Sequence, residues 1–340
     1  MAPSFGIASL ADTPVASLAG RAGRLEEAGF DQLWLADERL LRNVYLGLAA
    51  MAAGTQRSRI GPSVTNPYTR HPALTAAAIA TVDELSGGRA VLALGAGGGL
   101  EQFGIDRAHP AGMLREATEI IRRLTAGEKV DFTGRHFTVN GAQLGFDWRR
   151  QVPVYIAARG PRILELAGEV ADGVIIGGFA QPAGLAYALD RVSAGLSRAG
   201  RYRADIDVVA WLYTCVSDDR EAARRAVSRM VMASVITSRT ILDQLGIVLP
   251  ASLADRVANG SWTYAEDEML AAARLLPEKV VEAFAVYGTA SECARRLAEI
   301  RSCGANQLAF VVLPGTGMTW EEVAMRIAGE VLPQLASGSA

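Results

Sequence analysis

Short apolar segments alternate with amphipathic helical segments along almost the whole chain, and this alternation restricts the fold more than any other feature. Eight strands are predicted, at 4–9, 31–36, the start of 57–72, 89–94, 154–157, 173–176, 206–216 and 307–313. Strands joined by helices of this length pair in parallel through right-handed connections. We therefore expect an α/β fold, a (β/α)8 TIM barrel that forms one domain over residues 1–340.

The alternation is interrupted once. From 217 to 285 the pattern is helical throughout, with breaks at Gly246, Pro250, Gly260 and Pro277. This predicts a helical insertion at about 235–285, between barrel strands seven and eight. A smaller interruption at 130–141, whose apolar residues flank a Thr-Gly turn, predicts a β-hairpin.

Composition excludes several classes of protein. The formal charge is −2 and charges of both signs are mixed, so no basic stripe is available for nucleic acid. No apolar stretch reaches the length of a membrane span, and no signal-peptide pattern is present. The three cysteines, Cys215, Cys293 and Cys303, lack CxxC spacing, which argues against disulfides or zinc and fits a reducing cytoplasm.

The stretch 57–72, RSRIGPSVTNPYTRHP, is the first candidate site. Pro62 cannot donate to a β-ladder, so the strand must end or bulge there. Asn66-Pro67 and His71-Pro72 hold their first residues out of the α region, and Pro72 suits the first turn of a helix. The result is a rigid, polar shelf at a strand's carboxyl end. An ordinary proline-rich loop explains the stretch equally well.

Glycines follow the fourth strand, at Gly95, Gly97, Gly98 and Gly99. They do not form the dinucleotide fingerprint, because position 100 is Leu and the next helix starts only near Gly112. This argues against a doubly wound sheet. Glycines at this place still let backbone N–H groups approach a phosphate or a planar ring.

A second candidate loop, Ala157, Ala158, Arg159 and Gly160, follows the fifth strand. Pro161 then opens a helix whose free N–H groups can hold an anion, and Arg159 adds positive charge. A well-capped helix with a solvated arginine is the alternative interpretation.

Five stretches together resemble the bacterial-luciferase-like superfamily, and most closely its branch of coenzyme F420-dependent methylene-tetrahydromethanopterin reductases. They are GFDQLWLADE, IGPSVTNPYTRHP, SGGRAVLALGAGGG, YIAARGPRILELAGEVADG and YGTASECARRLAEIRSCGANQLAFVV. The resemblance covers nearly the whole chain and includes the helical insertion. It implies a (β/α)8 barrel, usually a homodimer, that binds a deazaflavin at the C-terminal mouth.

The resemblance also assigns residues to that cofactor. It implies a non-prolyl cis peptide between Ser63 and Val64 behind the ring system, with Asp37 at the polar side of the ring and Thr65 and Asn66 nearby. The phosphate arm would be held by two loops, formed by Gly95, Gly97 and Gly98 and by Ala157, Ala158, Arg159 and Gly160.

Two positions depart from the branch. The reductases resembled carry an acidic residue on strand one, where this chain has Ala8, and another where it has Gly98. Glu38 stands where relatives often have His. We therefore expect F420 to be kept and the substrate to be a different small molecule, reduced or oxidised at a C=N, C=C or C=O bond. Glu38 and Asp37 become the candidate proton shuttles, although for Glu38 a solvated charge that ends strand two is the favoured interpretation.

The remaining histidines and acids give weaker signals. His71 is expected to pack beside Pro72, and Glu101 to lie on the surface. His109 and His136 have no partners at ligand spacing, so no metal site is expected. Two other functions stay open, an FMN-dependent monooxygenase of the same superfamily and a non-catalytic, cofactor-binding paralogue.

Overall fold

The computed structural model describes residues 4–38, 40–148, 150–258 and 266–338. Its strands are β1 (Ser4–Ser9), β2 (Gln32–Leu35), β3 (Arg59–Pro62), β4 (Leu92–Leu94), β5 (Val130–Thr133), β6 (Thr138–Ala142), β7 (Val154–Ala158), β8 (Gly173–Gly177), β9 (Asp207–Val216), β10 (Ala285–Gly288) and β11 (Gln307–Val312). Its helices are α1 (Val15–Glu27), α2 (Val44–Ala53), α3 (Pro72–Ser86), α4 (Pro110–Thr125), α5 (Pro161–Val170), α6 (Pro182–Arg198), α7 (Arg220–Thr237), α8 (Ala251–Ala258), α9 (Glu266–Ala273), α10 (Glu278–Phe284), α11 (Ala290–Ser302), α12 (Trp320–Arg326) and α13 (Leu332–Ser337).

The main sheet has the strand order of a (β/α)8 barrel, β3-β2-β1-β11-β9-β8-β7-β4. Parallel bridges from Ile60 to Ala90 and from Thr65 to Leu94 join its first strand to its last. Strands such as β2 and β4 are buried along their whole length, as expected of parallel strands covered by helices. The predicted TIM barrel is confirmed.

By the density of contacts the chain divides into two compact units. The N-terminal unit comprises Ala8–Ile175 and Arg191–Asp207, and the C-terminal unit comprises Met1–Ile7, Ile176–Asp190 and Val208–Ala340. The dividing points fall inside β1, β8, α6 and β9, which therefore contribute residues to both units. The single domain over 1–340 stays a prediction.

The helices begin and end at residues that the sequence marks for this purpose. α3 starts with Pro72, is capped by His71 and stops at Gly87, whose φ of 68° is left-handed. α11 begins with a capping box between Thr289 and Glu292. No helix among the described residues is long and apolar enough to cross a membrane.

The stretch between β9 and β11 contains α7, α8, α9 and α10, so its described part is largely helical, as predicted. The break predicted at Gly260 lies outside the described residues. The sequence did not predict β10, which follows α10 directly and pairs in parallel with β9, Ala285 lying opposite Tyr213. The predicted hairpin is confirmed as the antiparallel pair β5 and β6.

A buried carboxylate fixes the entry to β3. Glu26, on α1, is 8% exposed, and its oxygens accept the backbone N–H groups of Gln56 (3.0 Å), Arg57 (2.6 Å) and Ser58 (2.5 Å). Burial raises the pKa of Glu26, but these N–H groups outweigh it and lower the pKa from 4.5 to about 2. Arg89 closes the same corner by donating to the carbonyl oxygens of residues 52, 55, 58 and 86.

Candidate functional site

The predicted site residues follow four strands that are neighbours in the barrel. Asp37, Ser63, Gly95 and Arg159 each lie one or two residues beyond the end of β2, β3, β4 and β7, respectively. Neighbouring parallel strands end at the same edge, and in this fold that edge carries the active site. All these residues belong to the N-terminal unit. We call the edge they share the mouth.

The segment after β3 divides into an accessible part and a buried part. The peptide bond between Ser63 and Val64 is cis, as the resemblance implied. Thr65 then rejoins β4, donating its N–H to the Ala93 carbonyl (3.0 Å) and accepting from the Gly95 N–H (2.8 Å). Ser63 and Val64 stay half-buried, whereas Thr65 is fully buried. Ser63 and Val64 are therefore the more accessible residues of this segment, and Thr65 is buried.

Asn66 stabilises the loop that follows β3. It is 7% exposed, and its Oδ1 accepts the backbone N–H groups of Tyr68 and Thr69, each at 3.0 Å. His71 is also structural, because its Nδ1 accepts the Ala73 N–H (3.2 Å) and its ring meets Phe137 edge-on. The packing role predicted for His71 is confirmed.

The glycine loop after β4 is held by an internal hydrogen bond and by close packing, and it leaves open space at one residue. The Gly97 carbonyl accepts a hydrogen bond from Arg107 Nη1 (3.0 Å), and Gly97 has a left-handed φ of 73°. A Cβ added at Gly95 would come within 2.5 Å of Val64 Cγ2, and one at Gly97 within 2.7 Å of Leu100 Cδ1. A Cβ at Gly98 would meet no atom within 4 Å. Gly98 also borders a cavity of about 460 Å³.

The loop after β7 leads into the N-terminus of α5. Gly160 is the N-terminal cap, makes no side-chain capping hydrogen bond, and has no atom within 4 Å of an added Cβ. Ala157, Ala158 and Arg159 are half-buried, and Gly160 is exposed. The backbone N–H groups of this helix start are therefore accessible to an anion.

Asp37 and Glu38 follow β2 and are both half-buried. A hydrogen bond from the Ala36 N–H to the Ser9 carbonyl (2.9 Å) joins the end of β2 to β1. Of the two positions where the reductases resembled carry acids, Ala8 is buried in β1 and Gly98 is exposed. Glu101 is exposed, as predicted.

Sequence analysis missed Tyr45. Its N–H is held at the start of α2 by Asn43 Oδ1 (3.0 Å), its ring is 8% exposed, and the Arg70 guanidinium carbon lies 4.9 Å from the ring centroid. Burial, and then the nearby Asp37 carboxylate, raise the pKa of Tyr45 to about 12. The one available signal was an aromatic residue in the first turn of the helix that follows Asp37.

The structure groups no three His, Cys, Asp or Glu side chains suitably for a metal ion within the described ranges. The rings of His109 and His136 lie 5.6 Å apart, as a pair on the loop that enters α4 and on the β5–β6 hairpin.

A TIM barrel with its glycine loops and its cis peptide gathered at one mouth defines the class of the luciferase-like enzymes. The chain belongs to the luciferase-like monooxygenase family, whose model matches residues 3–307. This confirms the resemblance noted in the sequence.

Individual relatives are similar over the whole chain or a large part of it. The chain is 37% identical to the 5,10-methylenetetrahydromethanopterin reductase of Archaeoglobus fulgidus, over 97% of this chain and 99% of that protein. It is 35% identical to the F420-dependent glucose-6-phosphate dehydrogenase of Microbacterium testaceum, over 58% of this chain and 63% of that protein. The solved structure of the coenzyme F420-dependent tetrahydromethanopterin reductase from Methanopyrus kandleri matches with a TM-score of 0.84 at 28% identity, covering 98% and 100% of the two chains.

Proposed function

We propose that this chain is an F420-dependent oxidoreductase that transfers hydride between the deazaflavin and a C=N, C=C or C=O bond of a small molecule other than methylene-tetrahydromethanopterin. The relatives named above support the cofactor and the reaction type, and they include enzymes named for different substrates. The observation that carries the substrate part is the pair Ala8 and Gly98, which offers no carboxyl group at two places of the mouth.

The residues present fit a planar ring that carries an anionic arm. Gly98 and Gly160 leave open space at the two loops, and the start of α5 offers backbone N–H groups without a side-chain cap. Ser63 Oγ is buried and has no hydrogen-bond partner among the described residues, so a ligand group can satisfy it.

Each part of the mouth then has a role in binding the cofactor or in proton transfer. Ser63 and Val64 back the ring, Asp37 approaches its polar side, and the two glycine-containing loops hold the phosphate arm. When bound, F420 supplies a hydride-transferring carbon, C5, in place of the N5 of flavins, which disfavours one-electron and oxygen chemistry. Asp37 and Glu38 are the carboxyl groups of the predicted site, and they hold or deliver the proton that the substrate needs.

Fluorescence titration with F420 and with FMN tests the cofactor. We expect tighter binding of F420; equal or stronger binding of FMN would favour the monooxygenase, and binding of neither would favour a non-catalytic paralogue.

Stopped-flow oxidation of reduced F420 tests the substrate. The reaction is followed with methylene-tetrahydromethanopterin and with a panel of imines and enones, and we expect the pterin to react slowly. Rapid turnover of the pterin alone would show that Ala8 and Gly98 do not exclude it.

A further inference from the structure

Tyr45, on α2, and Thr65, in the segment after β3, each bury a hydroxyl group. Tyr45 is 8% exposed and Thr65 is fully buried. Neither hydroxyl has a hydrogen-bond partner among the described residues. A buried polar group left without a hydrogen-bond partner destabilises the fold, so two such groups near one another point to a function.

The two hydroxyls interact, although no hydrogen bond of ordinary geometry joins them. The Thr65 and Thr75 hydroxyls each lower the pKa of Tyr45, against the larger opposing effects of burial and of Asp37. The Arg70 guanidinium covers the ring of Tyr45 at 4.9 Å. Through Arg70, the Tyr45 ring thus contacts the segment after β3.

The backbone leaves Thr65 little freedom. Its N–H and carbonyl are both hydrogen-bonded to the β4 segment, at 3.0 and 2.8 Å. The remaining adjustable part is the side-chain hydroxyl, and β-branched side chains occupy few rotamers. The α2 helix, which carries Tyr45 in its first turn, packs against both β3 and α3.

We infer that Tyr45 is a positioning residue of the cofactor site. Its hydroxyl pairs with that of Thr65 when the mouth is occupied, and the pair fixes the Ser63–Val64 segment relative to Asp37. The inference rests on the proposed function, because the cofactor is what closes the pair. Hydrogen bonds that are long in a free site commonly tighten in the complex.

The substitution Tyr45→Phe removes only the hydroxyl and leaves the ring beneath Arg70. We expect the dissociation constant of F420 to rise about tenfold, as for one lost hydrogen bond. We also expect a shift of the absorption band of bound F420, because the ring is held differently. Thr65→Val should have a similar effect, and the double variant should lose no more than either single variant, since the two hydroxyls act as one unit.

Tyr287 provides a matched control in the C-terminal unit. It is 1% exposed, its hydroxyl has no hydrogen-bond partner among the described residues, and Arg220 lies 5.0 Å from its ring centroid. Tyr287→Phe should therefore match Tyr45→Phe in melting temperature but leave F420 affinity and the absorption band unchanged.

The binding measurements distinguish a failure of the proposed function from a failure of the role inferred for Tyr45. A wild-type protein that binds no F420 overturns the proposed function and this inference with it. A wild type that binds F420 while Tyr45→Phe binds it equally well overturns the inference alone. Additive losses in the double variant, or an equal loss in Tyr287→Phe, also overturn it, because either would indicate a general structural effect.

Discussion

Replacing Glu26 by Gln should remove a large part of the stability of the corner that leads into β3. The carboxylate accepts backbone N–H groups from three consecutive residues, 56, 57 and 58. The amide of Gln presents one acceptor oxygen, and its NH2 group would face donors. If the NH2 group takes the place of Oε1 it faces the Gln56 N–H, and the neutral amide oxygen at the Oε2 position is a weaker acceptor than a carboxylate oxygen for all three N–H groups.

The magnitude follows from the pKa of Glu26, which falls from 4.5 to about 2 on folding. At about 1.36 kcal/mol per pH unit, this corresponds to about 3 kcal/mol of stability in the ionised form. A lowered folded-state pKa stabilises at pH values above the unfolded-state pKa. That stability is lost progressively as the pH falls from 4.5 towards about 2.

Urea denaturation at pH 7 and at pH 3 measures the difference in the free energy of unfolding between wild type and Glu26→Gln. We expect about 2–3 kcal/mol at pH 7 and about half of that or less at pH 3. Glu27→Gln is the matched control, because Glu27 is the next residue on α1 and is exposed. A difference below about 1 kcal/mol at pH 7, or one that does not change with pH, would refute the reasoning.

Three further predictions concern the mouth and the surface. Gly98→Asp should fold as wild type does, because an added Cβ there meets no atom within 4 Å, and its carboxyl group should speed the turnover of methylene-tetrahydromethanopterin in stopped flow. Gly97→Asp should lose F420 affinity, because its φ is 73° and its Cβ meets Leu100. Equal folding and equal turnover of the two variants would contradict the assignment of Gly98 as the open residue of the loop. Arg159→Glu should raise the dissociation constant of F420 by placing a carboxylate at the phosphate arm, and unchanged affinity in a fluorescence titration would show that the arm lies elsewhere. Light scattering at micromolar concentration should give a dimer mass, because α2 and α3 expose Leu46 (64%) and Leu74 (62%), and a monomer mass would contradict this.

The sequence predicted the barrel because each of its strands is a short apolar segment bounded by glycine, proline or polar residues. It missed β10 because no such boundary separates it from α10. The helix ends at Phe284 and the strand begins at Ala285. Pairing with β9 decides the conformation there, and that pairing is a tertiary contact which local pattern does not record.

The sequence also placed the predicted loops after neighbouring strands of the barrel but could not say which of their side chains are buried. Thr65 and Asn66 were predicted beside the cofactor, and both are buried. Side chains alternate between the two faces of a strand, so any irregularity changes which residues point outwards. The irregular segment at Ser63 and Val64 determines which residues point outwards, and the course of that segment depends on where the chain rejoins β4.

The accessible residues of the mouth and its carboxyl groups belong to different strands. Ser63, Val64 and Gly98 offer a ligand mainly backbone and small side chains, which can give shape and room but no proton. The carboxyl groups predicted to serve the reaction, Asp37 and Glu38, both follow β2. Proton delivery should therefore come from the β2 side, while β1 and the glycine loop set the space for the substrate. A substrate that fits this arrangement has its proton-accepting atom near β2 and a bulkier, uncharged part near Ala8 and Gly98.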